Sequence, residues 1–335
     1  MFTVAAEEEL PYFIGGEAWN FVGCASFEAR WCGFADLAIA IIQKPAGALI
    51  VYPKDTGSAY QQECAEAQAE NWKTSRVQSE WAGRSLPVEL LGPAPWRIIR
   101  DALDNFVRDH PTVRRWIIDV TTMPRVCIFP AVDWALRNSA IDDLALIYTE
   151  PGSYSSSMLH SEPTGPFIVP PFDYLPSVTA GRLNVAWIPI LGFGPTFAKS
   201  IYESIAGGYE LGQSIYPIVG FPAFDPAFFE RCLAECAPVF EGSGILNGQF
   251  IYASAADPFE TRDAILRLMR SAPEGQAWIG SPMGPKPMTI GMVLAAIDRE
   301  LTIIIDQART YNPKYSTGTG AVHMYVLRQA GRRTY

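Results

Sequence analysis

The sequence predicts an α/β protein built from two Rossmann-like parallel-sheet domains that are related by internal duplication. Short apolar segments alternate with amphipathic segments along the chain, which is the pattern of strands and helices in an α/β fold. The apolar segments are nearly continuous, as in residues 144–148, and this suits parallel strands that are buried on both faces. The chain has 335 residues, 49% of them hydrophobic, which is enough sequence for two cores.

The first half of the chain contains five predicted strands, each a run of aliphatic or aromatic residues. The strands cover residues 21–24, 48–52, 88–91, 116–120 and 144–148. Amphipathic segments follow most of them and are predicted helices, at about residues 30–42, 58–72, 95–108 and 126–137.

The second half repeats the order of the first. Its predicted strands cover residues 186–191, 214–219, 249–253, 277–280 and 301–305, with a final strand at 322–327. Its predicted helices cover about residues 196–205, 226–235, 258–269 and 288–297.

The fourth strand–helix unit of each half gives the clearest internal match. In both, a strand is followed by a Met, a Pro and a basic residue, and then by a helix. The basic residues are Arg125 and Lys286, which are 161 positions apart, and the fifth units correspond at nearly the same offset. This indicates a duplicated fold. The alternative is that the two units are alike only because all strand–helix units share a simple pattern.

A segment rich in Pro, Ser and Gly, residues 150–181, separates the two halves. Such composition is typical of a linker or an irregular crossing. We therefore predict a first domain over residues 1–178, which includes this segment, and a second domain over residues 179–335.

Composition and charge exclude several classes of protein. The six cysteines form no CxxC pair and the three histidines are scattered, so we expect no metal site and no cofactor, and buried thiols in a reducing cytoplasm. No apolar run approaches the length of a membrane span, and the three glutamates near the start are unlike a secretory signal. We therefore expect a cytoplasmic protein without a membrane association.

The net charge of −9 argues against long nucleic acid as a ligand, because a duplex-binding protein normally has a basic face. The charge is unevenly divided. Residues 1–180 carry 13 Lys and Arg against 22 Asp and Glu, whereas residues 181–335 carry 13 of each. A small anionic ligand held by a few local donors remains compatible with this balance.

Candidate site residues collect just after the predicted strands, which is the edge where open α/β sheets bind ligands. In the first half they are Ser26, Glu28, Arg30, Asp119, Thr121, Thr122 and Arg125. Helix N-termini at this edge offer N–H groups to an anion, and the two arginines add charged donors. The alternative is ordinary helix capping by the hydroxyl and carboxylate groups.

In the second half the strongest segment is the loop after the fourth strand, which contains Gly284 and Lys286. Its glycines and prolines predict a stiff turn that brings backbone close to a ligand, while Lys286 supplies a positive charge at the helix start. The alternative is a stiff loop with a solvated lysine.

Sequence motifs of common enzymes are missing. The chain has no GxxxxGK[ST], no GxGxxG after its first strand, no GxSxG and no HExxH. None of the three histidines lies at the carboxyl end of a predicted strand. General acid–base catalysis would have to use a carboxylate such as Asp119 or Glu28.

The paired halves, each with a polar loop and a basic residue after its fourth strand, resemble the CARF and SAVED sensor domains. The resemblance is carried by Gly284 and Lys286 in GPKPM of the second half, and by TTMPR, residues 121–125, in the first. It implies binding of a cyclic nucleotide second messenger in antiviral defence. The chain lacks the nuclease or other effector domain of those families, so the resemblance also implies a protein partner.

Three functional hypotheses follow. The first is a non-catalytic sensor whose two lobes hold a small anionic, nucleotide-like ligand in a cleft between them. The second is a hydrolase or transferase acting on a nucleotide or phosphate ester, with Asp119 as general base and Ser26 or Thr121 as a polar orienting group. The third is a structural subunit that uses its aromatic-rich loop at residues 221–229 as an interface.

Overall fold

The structure is a computed structural model of the chain. It describes residues 3–54, 62–90, 94–154, 162–177, 181–211, 214–240 and 250–335. Within these ranges, no helix has both the length and the apolar character that crossing a membrane requires.

Among the described residues before position 155 there are six strands and six helices. The strands are Thr3–Ala5 (β1), Trp19–Cys24 (β2), Gly47–Lys54 (β3), Arg84–Glu89 (β4), Arg115–Asp119 (β5) and Asp143–Tyr154 (β6). The helices are Ala6–Ile14 (α1), Gly33–Ile41 (α2), Gln62–Thr74 (α3), Arg76–Ser79 (α4), Pro95–Asp109 (α5) and Arg125–Arg137 (α6). A short 3-10 helix, Ala29–Cys32, leads into α2.

The later part of the chain continues the alternation. Its strands are Phe167–Ile168 (β7), Val185–Ile190 (β8), Ile218–Gly220 (β9), Ile251–Ala253 (β10), Ala277–Pro282 (β11), Leu301–Ile305 (β12), Ser316–Gln329 (β13) and Arg332–Arg333 (β14). Its helices are Pro195–Gly208 (α7), Pro226–Cys236 (α8), Pro258–Ser271 (α9) and Lys286–Asp298 (α10). A second 3-10 helix, Ala237–Phe240, follows α8.

The chain divides into two compact units, but not at the boundary that the sequence predicted. The first unit comprises Met1–Ser161 together with Arg309–Tyr335, and the second comprises Glu162–Ala308. The structure therefore divides the chain after residues 161 and 308, and not at the expected boundary between 1–178 and 179–335. The reason is β13, which pairs antiparallel with β6 and so returns the end of the chain to the first sheet.

The sheet of the first unit has the strand order β1-β13-β6-β5-β2-β3-β4, with β14 paired to β13. Its five central strands, from β6 to β4, are all parallel to one another. In chain order these five strands are arranged 3-2-1-4-5, as in a doubly wound Rossmann sheet. The antiparallel strands β13 and β1 extend one edge.

The sheet of the second unit has the order β10-β9-β8-β11-β12-β7. Its first five strands are parallel and β7 is antiparallel, so the parallel part has the same 3-2-1-4-5 arrangement. The protein is therefore an α/β protein with two similar Rossmann-like units, as the sequence predicted.

The helix after the fourth strand is the most deeply buried helix of each unit. In α6 every residue from Val126 to Leu136 is buried, and in α10 every residue from Pro287 to Ala296 is buried. Both stretches are apolar apart from Asp133 in α6 and Thr289 in α10, and a helix that is hydrophobic on all sides is stable only when it is covered on all sides. Both helices begin with a basic residue, Arg125 in α6 and Lys286 in α10.

Most predicted elements coincide with observed ones, but several limits differ: β4 begins at Arg84 rather than at residue 88, and β6 continues to Tyr154 rather than ending at residue 148. The sequence predicted no element at β1, α1, α4, β7 or β14. The predicted helix at 30–42 is a 3-10 helix followed by α2, and the predicted strand at 214–219 is reduced to β9. The predicted strand at 322–327 is the inner part of the longer β13. The predicted start of a helix at residue 58, and the strand limits at 91 and 249, lie outside the described residues.

Candidate functional site

The strand order of the first sheet reverses between β2 and β5, so the carboxyl ends of these two neighbours mark the expected ligand crevice. The loops that follow them are joined directly. The Thr122 hydroxyl donates a hydrogen bond to the Cys24 carbonyl oxygen, with an O···O distance of 2.7 Å. The candidate site thus begins with a fixed contact between the two strand ends.

The loop after β5 is held by a chain of hydrogen bonds. Asp119 Oδ1 accepts from the Thr121 backbone N–H at 2.8 Å, and Thr121 Oγ1 accepts from the Thr149 backbone N–H at 2.8 Å. Asp119 and Thr121 are both buried. These contacts fix the turn between β5 and α6 against β6, and they give Asp119 a backbone-capping contact.

Glu28, in the loop after β2, forms a buried ion pair with Arg30, in the 3-10 helix that follows. Arg30 Nε lies 3.0 Å from Glu28 Oε2, and Arg30 Nη1 donates to the Thr149 carbonyl oxygen at 2.8 Å. The Ser316 hydroxyl of β13 donates to the same glutamate. Ser26 takes part locally, since its Oγ accepts from the Glu28 backbone N–H at 3.2 Å.

The pKa of Arg30 reflects this pairing. Burial lowers it, but attraction to Glu28 and to the hydroxyls of Tyr148 and Tyr154 outweighs burial and raises the pKa above its usual range. The guanidinium also lies over the Tyr148 ring, 5.8 Å from its centroid. The Arg30 charge is therefore balanced within the protein.

Helix α3 supports the β2 loop from a second side. Gln68 Nε2 donates to the Ala25 carbonyl oxygen at 3.2 Å, and Asn71 Nδ2 donates to the carbonyl oxygens of Ser26 and Phe27 at 3.1 and 2.9 Å. These two amides were not among the predicted site residues. Their spacing of three residues on one helix face was the only sequence signal for them.

Arg125 is the first residue of α6 and is half-buried. Burial lowers the pKa of its guanidinium, while the nearby Tyr311 and Tyr315 act in the opposite direction. Burial also disfavours the charged form of Tyr311, which for a tyrosine raises the pKa. The Tyr315 ring meets the Tyr154 ring edge to face at 5.0 Å, so tyrosines from the chain's last segment cover this side of the site.

The equivalent edge of the second unit is built mainly from backbone. The strand order reverses between β8 and β11, and Met283 N–H donates to the Ile190 carbonyl oxygen at 2.9 Å. A Cβ on Gly284 would lie 2.7 Å from the Leu191 carbonyl oxygen, so only glycine fits where the two loops touch. Lys286, half-buried, opens α10 in the position that Arg125 holds in α6.

The start of α7 in the second unit already holds a carboxylate from the same chain. The Gly194 backbone N–H donates to Glu235 Oε2 at 2.9 Å. Glu235 reaches it from α8 and is itself paired with Arg231 at 2.7 Å. Helix N-termini attract anions, and the Glu235 carboxylate already accepts the Gly194 N–H that would otherwise be available to a phosphate.

Each of the nine predicted site residues lies at the carboxyl edge of one of the two sheets. Ser26, Glu28, Arg30, Asp119, Thr121, Thr122 and Arg125 lie at the carboxyl edge of the first sheet. Gly284 and Lys286 lie at the same edge of the second sheet. Among the described residues, no group of three or more His, Cys, Asp or Glu side chains is arranged to hold a metal ion.

A cavity of about 330 Å3 lies at the opposite, amino-terminal ends of β2, β5 and β6. It is lined by Glu17, Ala18, Thr112, Arg114, Arg115, Asp142 and Asp143. Its arginines are paired with its own carboxylates, as in Arg115–Asp143 at 2.6 Å and Arg114–Asp142. The cavity is therefore lined by ion pairs at the amino-terminal ends of the strands. The candidate site lies at their carboxyl ends.

Comparisons with known proteins give only distant similarities. No family model and no curated protein matches the chain. Among solved structures, a functionally unknown protein from Pseudomonas aeruginosa is similar at 8% identity, over 90% of this chain and 95% of that chain, with a TM-score of 0.26.

Two further structures are similar to the same degree. The cytoplasmic domain of a prokaryotic cation chloride cotransporter has 10% identity over 87% of this chain and 96% of that chain, with a TM-score of 0.25. A Pseudomonas aeruginosa protein assigned to the universal stress proteins has 9% identity over 87% and 93%, also with a TM-score of 0.25. At these TM-scores they carry no argument about function.

Proposed function

We propose that the protein is a non-catalytic sensor that binds a small anionic, nucleotide-like ligand at the carboxyl edges of its two sheets. One observation carries the proposal. The helix after the fourth strand begins with a basic residue in both units, Arg125 in α6 and Lys286 in α10, at the edge where the strand order reverses.

Physical chemistry favours an anion at these positions. The first turn of a helix has backbone N–H groups without intrahelical partners and a positive dipole end, and an adjacent arginine or lysine adds a charged donor. The prolines before Arg125 and Lys286 fix the entry into each helix. The hydroxyls of Thr121 and Thr122 lie on the same loop as Arg125 and suit contacts with ribose or phosphate oxygens.

The resemblance to CARF and SAVED domains supplies the ligand class and the biological setting of the proposal: a cyclic oligonucleotide messenger in antiviral defence, with a separate protein that receives the signal. The enzyme hypothesis is the alternative outcome of the test. It requires Asp119 to act as a base, although Asp119 Oδ1 accepts a hydrogen bond from the Thr121 backbone.

The experiment is a panel of cyclic and linear nucleotides incubated with the pure protein, with the melting temperature and the reaction products both recorded. We expect a melting shift without turnover. Turnover that is lost in Asp119→Asn would replace the sensor with the enzyme, and neither a shift nor turnover with any nucleotide would leave only the structural-subunit hypothesis.

Site variants sharpen the test. Lys286→Ala and Arg125→Gln should each weaken binding of the nucleotide that gives the shift by about 1–3 kcal/mol, the usual cost of losing a charged hydrogen bond. The matched control is Lys199→Ala, which removes an exposed lysine from the body of α7. Equal affinities of Lys286→Ala, Arg125→Gln and the control protein would refute the proposed site.

A further inference from the structure

The second unit carries an exposed aromatic cluster, which we define as Phe221, Phe229 and Tyr252. Phe221 is 53% exposed and Tyr252 is 47% exposed, which is unusual for large apolar side chains. The ring centroids of Phe221 lie 5.0 Å from Phe229 and 6.2 Å from Tyr252, and those of Phe229 and Tyr252 lie 5.8 Å apart. Three rings therefore form one continuous surface.

Backbone hydrogen bonds hold the aromatic cluster in place. Phe221 N–H donates to the Ala253 carbonyl oxygen at 2.7 Å, and Ala255 N–H donates to the Pro222 carbonyl oxygen at 3.0 Å. These bonds tie the loop after β9 to the loop after β10. Phe229 lies on α8, whose first turn is capped by Asp225 Oδ1 at 2.9 Å from the Ala227 nitrogen. Such a preformed surface loses little conformational entropy when a partner binds.

The sequence around the aromatic cluster is strongly acidic. Between residues 214 and 261 the chain has six acidic residues and one basic residue, Arg231. Arg231 pairs with Glu235 at 2.7 Å and lies over the Phe193 ring at 4.8 Å, so its charge is already compensated. Asp225 and Glu230 are exposed at the start of α8 and within it, and Glu260, exposed on α9, accepts a hydrogen bond at 3.0 Å from the Ser254 backbone N–H in the loop after β10.

This charge pattern decides which partner fits. A phosphate-bearing ligand would be repelled by the carboxylates, so the aromatic cluster is not a second position for the nucleotide proposed above. A cationic side chain gains twice, because guanidinium and ammonium groups are attracted both to carboxylates and to the faces of aromatic rings. Aromatic side chains are also the residues that most often anchor protein interfaces.

We propose that the aromatic cluster and its acidic rim bind a basic segment of a partner protein, with aliphatic or arginine side chains on the rings and Lys or Arg facing Asp225, Glu230 and Glu260. The proposal uses neither Arg125 nor Lys286, although Phe221 follows β9 at the same carboxyl edge of the second sheet at which Lys286 lies. Its test therefore stands or falls without reference to the nucleotide experiments.

The test uses two fluorescein-labelled peptides that differ only in charge, a Gly-Arg-Leu repeat and a Gly-Glu-Leu repeat, with binding to the full chain measured by anisotropy. We expect the arginine peptide to bind at least about tenfold more tightly than the glutamate peptide. The double variant Phe221→Ser, Tyr252→Ser should weaken the arginine peptide by at least about tenfold. Glu230→Lys should weaken the arginine peptide and strengthen the glutamate peptide.

The matched control is Tyr12→Ser. Tyr12 is 82% exposed on α1, the helix that also carries Glu7, Glu8 and Glu9, so it is an exposed aromatic residue on an acidic element outside the cluster. We expect Tyr12→Ser to bind the arginine peptide as tightly as the wild type does. An equal loss in Tyr12→Ser would show that the peptide binds exposed aromatic side chains outside the cluster as well, and would overturn the proposal.

Three further results would overturn it. They are equal binding of both peptides, unchanged binding of the arginine peptide by the double variant, and a wild-type dimer that dissociates in the double variant. The last result, read by sedimentation velocity, would assign the aromatic cluster to a second copy of this chain.

Discussion

Replacing Glu28 by glutamine tests whether the buried ion pair organises the candidate site of the first unit. The Glu28 and Arg30 side chains are only 10% and 7% exposed, and their closest atoms are 3.0 Å apart. The glutamine keeps the shape of the side chain and one hydrogen-bond acceptor but removes the negative charge. The variant therefore leaves the buried Arg30 guanidinium without its counter-charge.

The magnitude follows from the separation and the burial. Two unit charges about 3 Å apart attract by roughly 5 kcal/mol at an effective dielectric constant of about 20. Breaking a buried pair by removing one partner typically costs about 3–5 kcal/mol. Because the glutamine retains part of the hydrogen bonding, we expect Glu28→Gln to lower the free energy of unfolding by about 3 kcal/mol.

Urea denaturation measures the loss, and hydrogen exchange of the peptides that contain residues 25–32 and 148–154 locates it. The double variant Glu28→Gln, Arg30→Met removes both charges and should recover at least half of the lost stability. Glu80→Gln, in the exposed pair with Arg76, should leave the denaturation midpoint unchanged. A Glu28→Gln midpoint equal to that of Glu80→Gln would refute the reasoning.

Three other perturbations have defined outcomes. Gly192→Ala should destabilise the second unit by about 2 kcal/mol or more, since its Cβ would collide with the Met283 carbonyl oxygen; thermal denaturation measures this. Arg328→Met should cost about 2 kcal/mol in urea, because Arg328 donates to the carbonyl oxygens of residue 136 in the last turn of α6 and of residues 138 and 141 after it. Burial raises the pKa of Tyr148, so its contribution to stability is complete below about pH 10 and is lost as the pH rises further; Tyr148→Phe should make that loss shallower by up to about 1.4 kcal/mol per pH unit.

Each of these outcomes has a control or a contrary result. Gly207→Ala has open space around its Cβ and should not destabilise, so equal effects at Gly192 and Gly207 would contradict the packing argument. Full stability of Arg328→Met would show that water replaces the guanidinium at the end of α6. An identical alkaline decline in wild type and Tyr148→Phe, between pH 9 and 11, would show that this hydroxyl titrates alike in the folded and unfolded chains.

The parallel cores of both sheets could be predicted from the sequence because their strands are apolar and continuous. The same patterning predicted the two fourth units, where Arg125 and Lys286 open equivalent helices. Local sequence is sufficient there, because strand, turn and helix follow one another along the chain. Ser26, Asp119 and Thr121 could be placed at one edge for the same reason.

The division of the chain could not be predicted, because it depends on a non-local pairing. β13 returns to β6 from more than 150 residues away, and no local pattern indicates which sheet an isolated strand joins. The same return brings Tyr311, Tyr315 and Ser316 to the first unit's site. These three residues reach the site through tertiary contacts, so the sequence around Arg30 and Arg125 could not predict them.

The measurement that tests the central claim most directly is photo-crosslinking with an azido derivative of the nucleotide that gives the largest melting shift, followed by peptide mass spectrometry. The account predicts label in residues 119–126, in residues 281–288, or in both. Label confined to the amino-terminal strand ends, at residues 112–115 and 142–143, would contradict it.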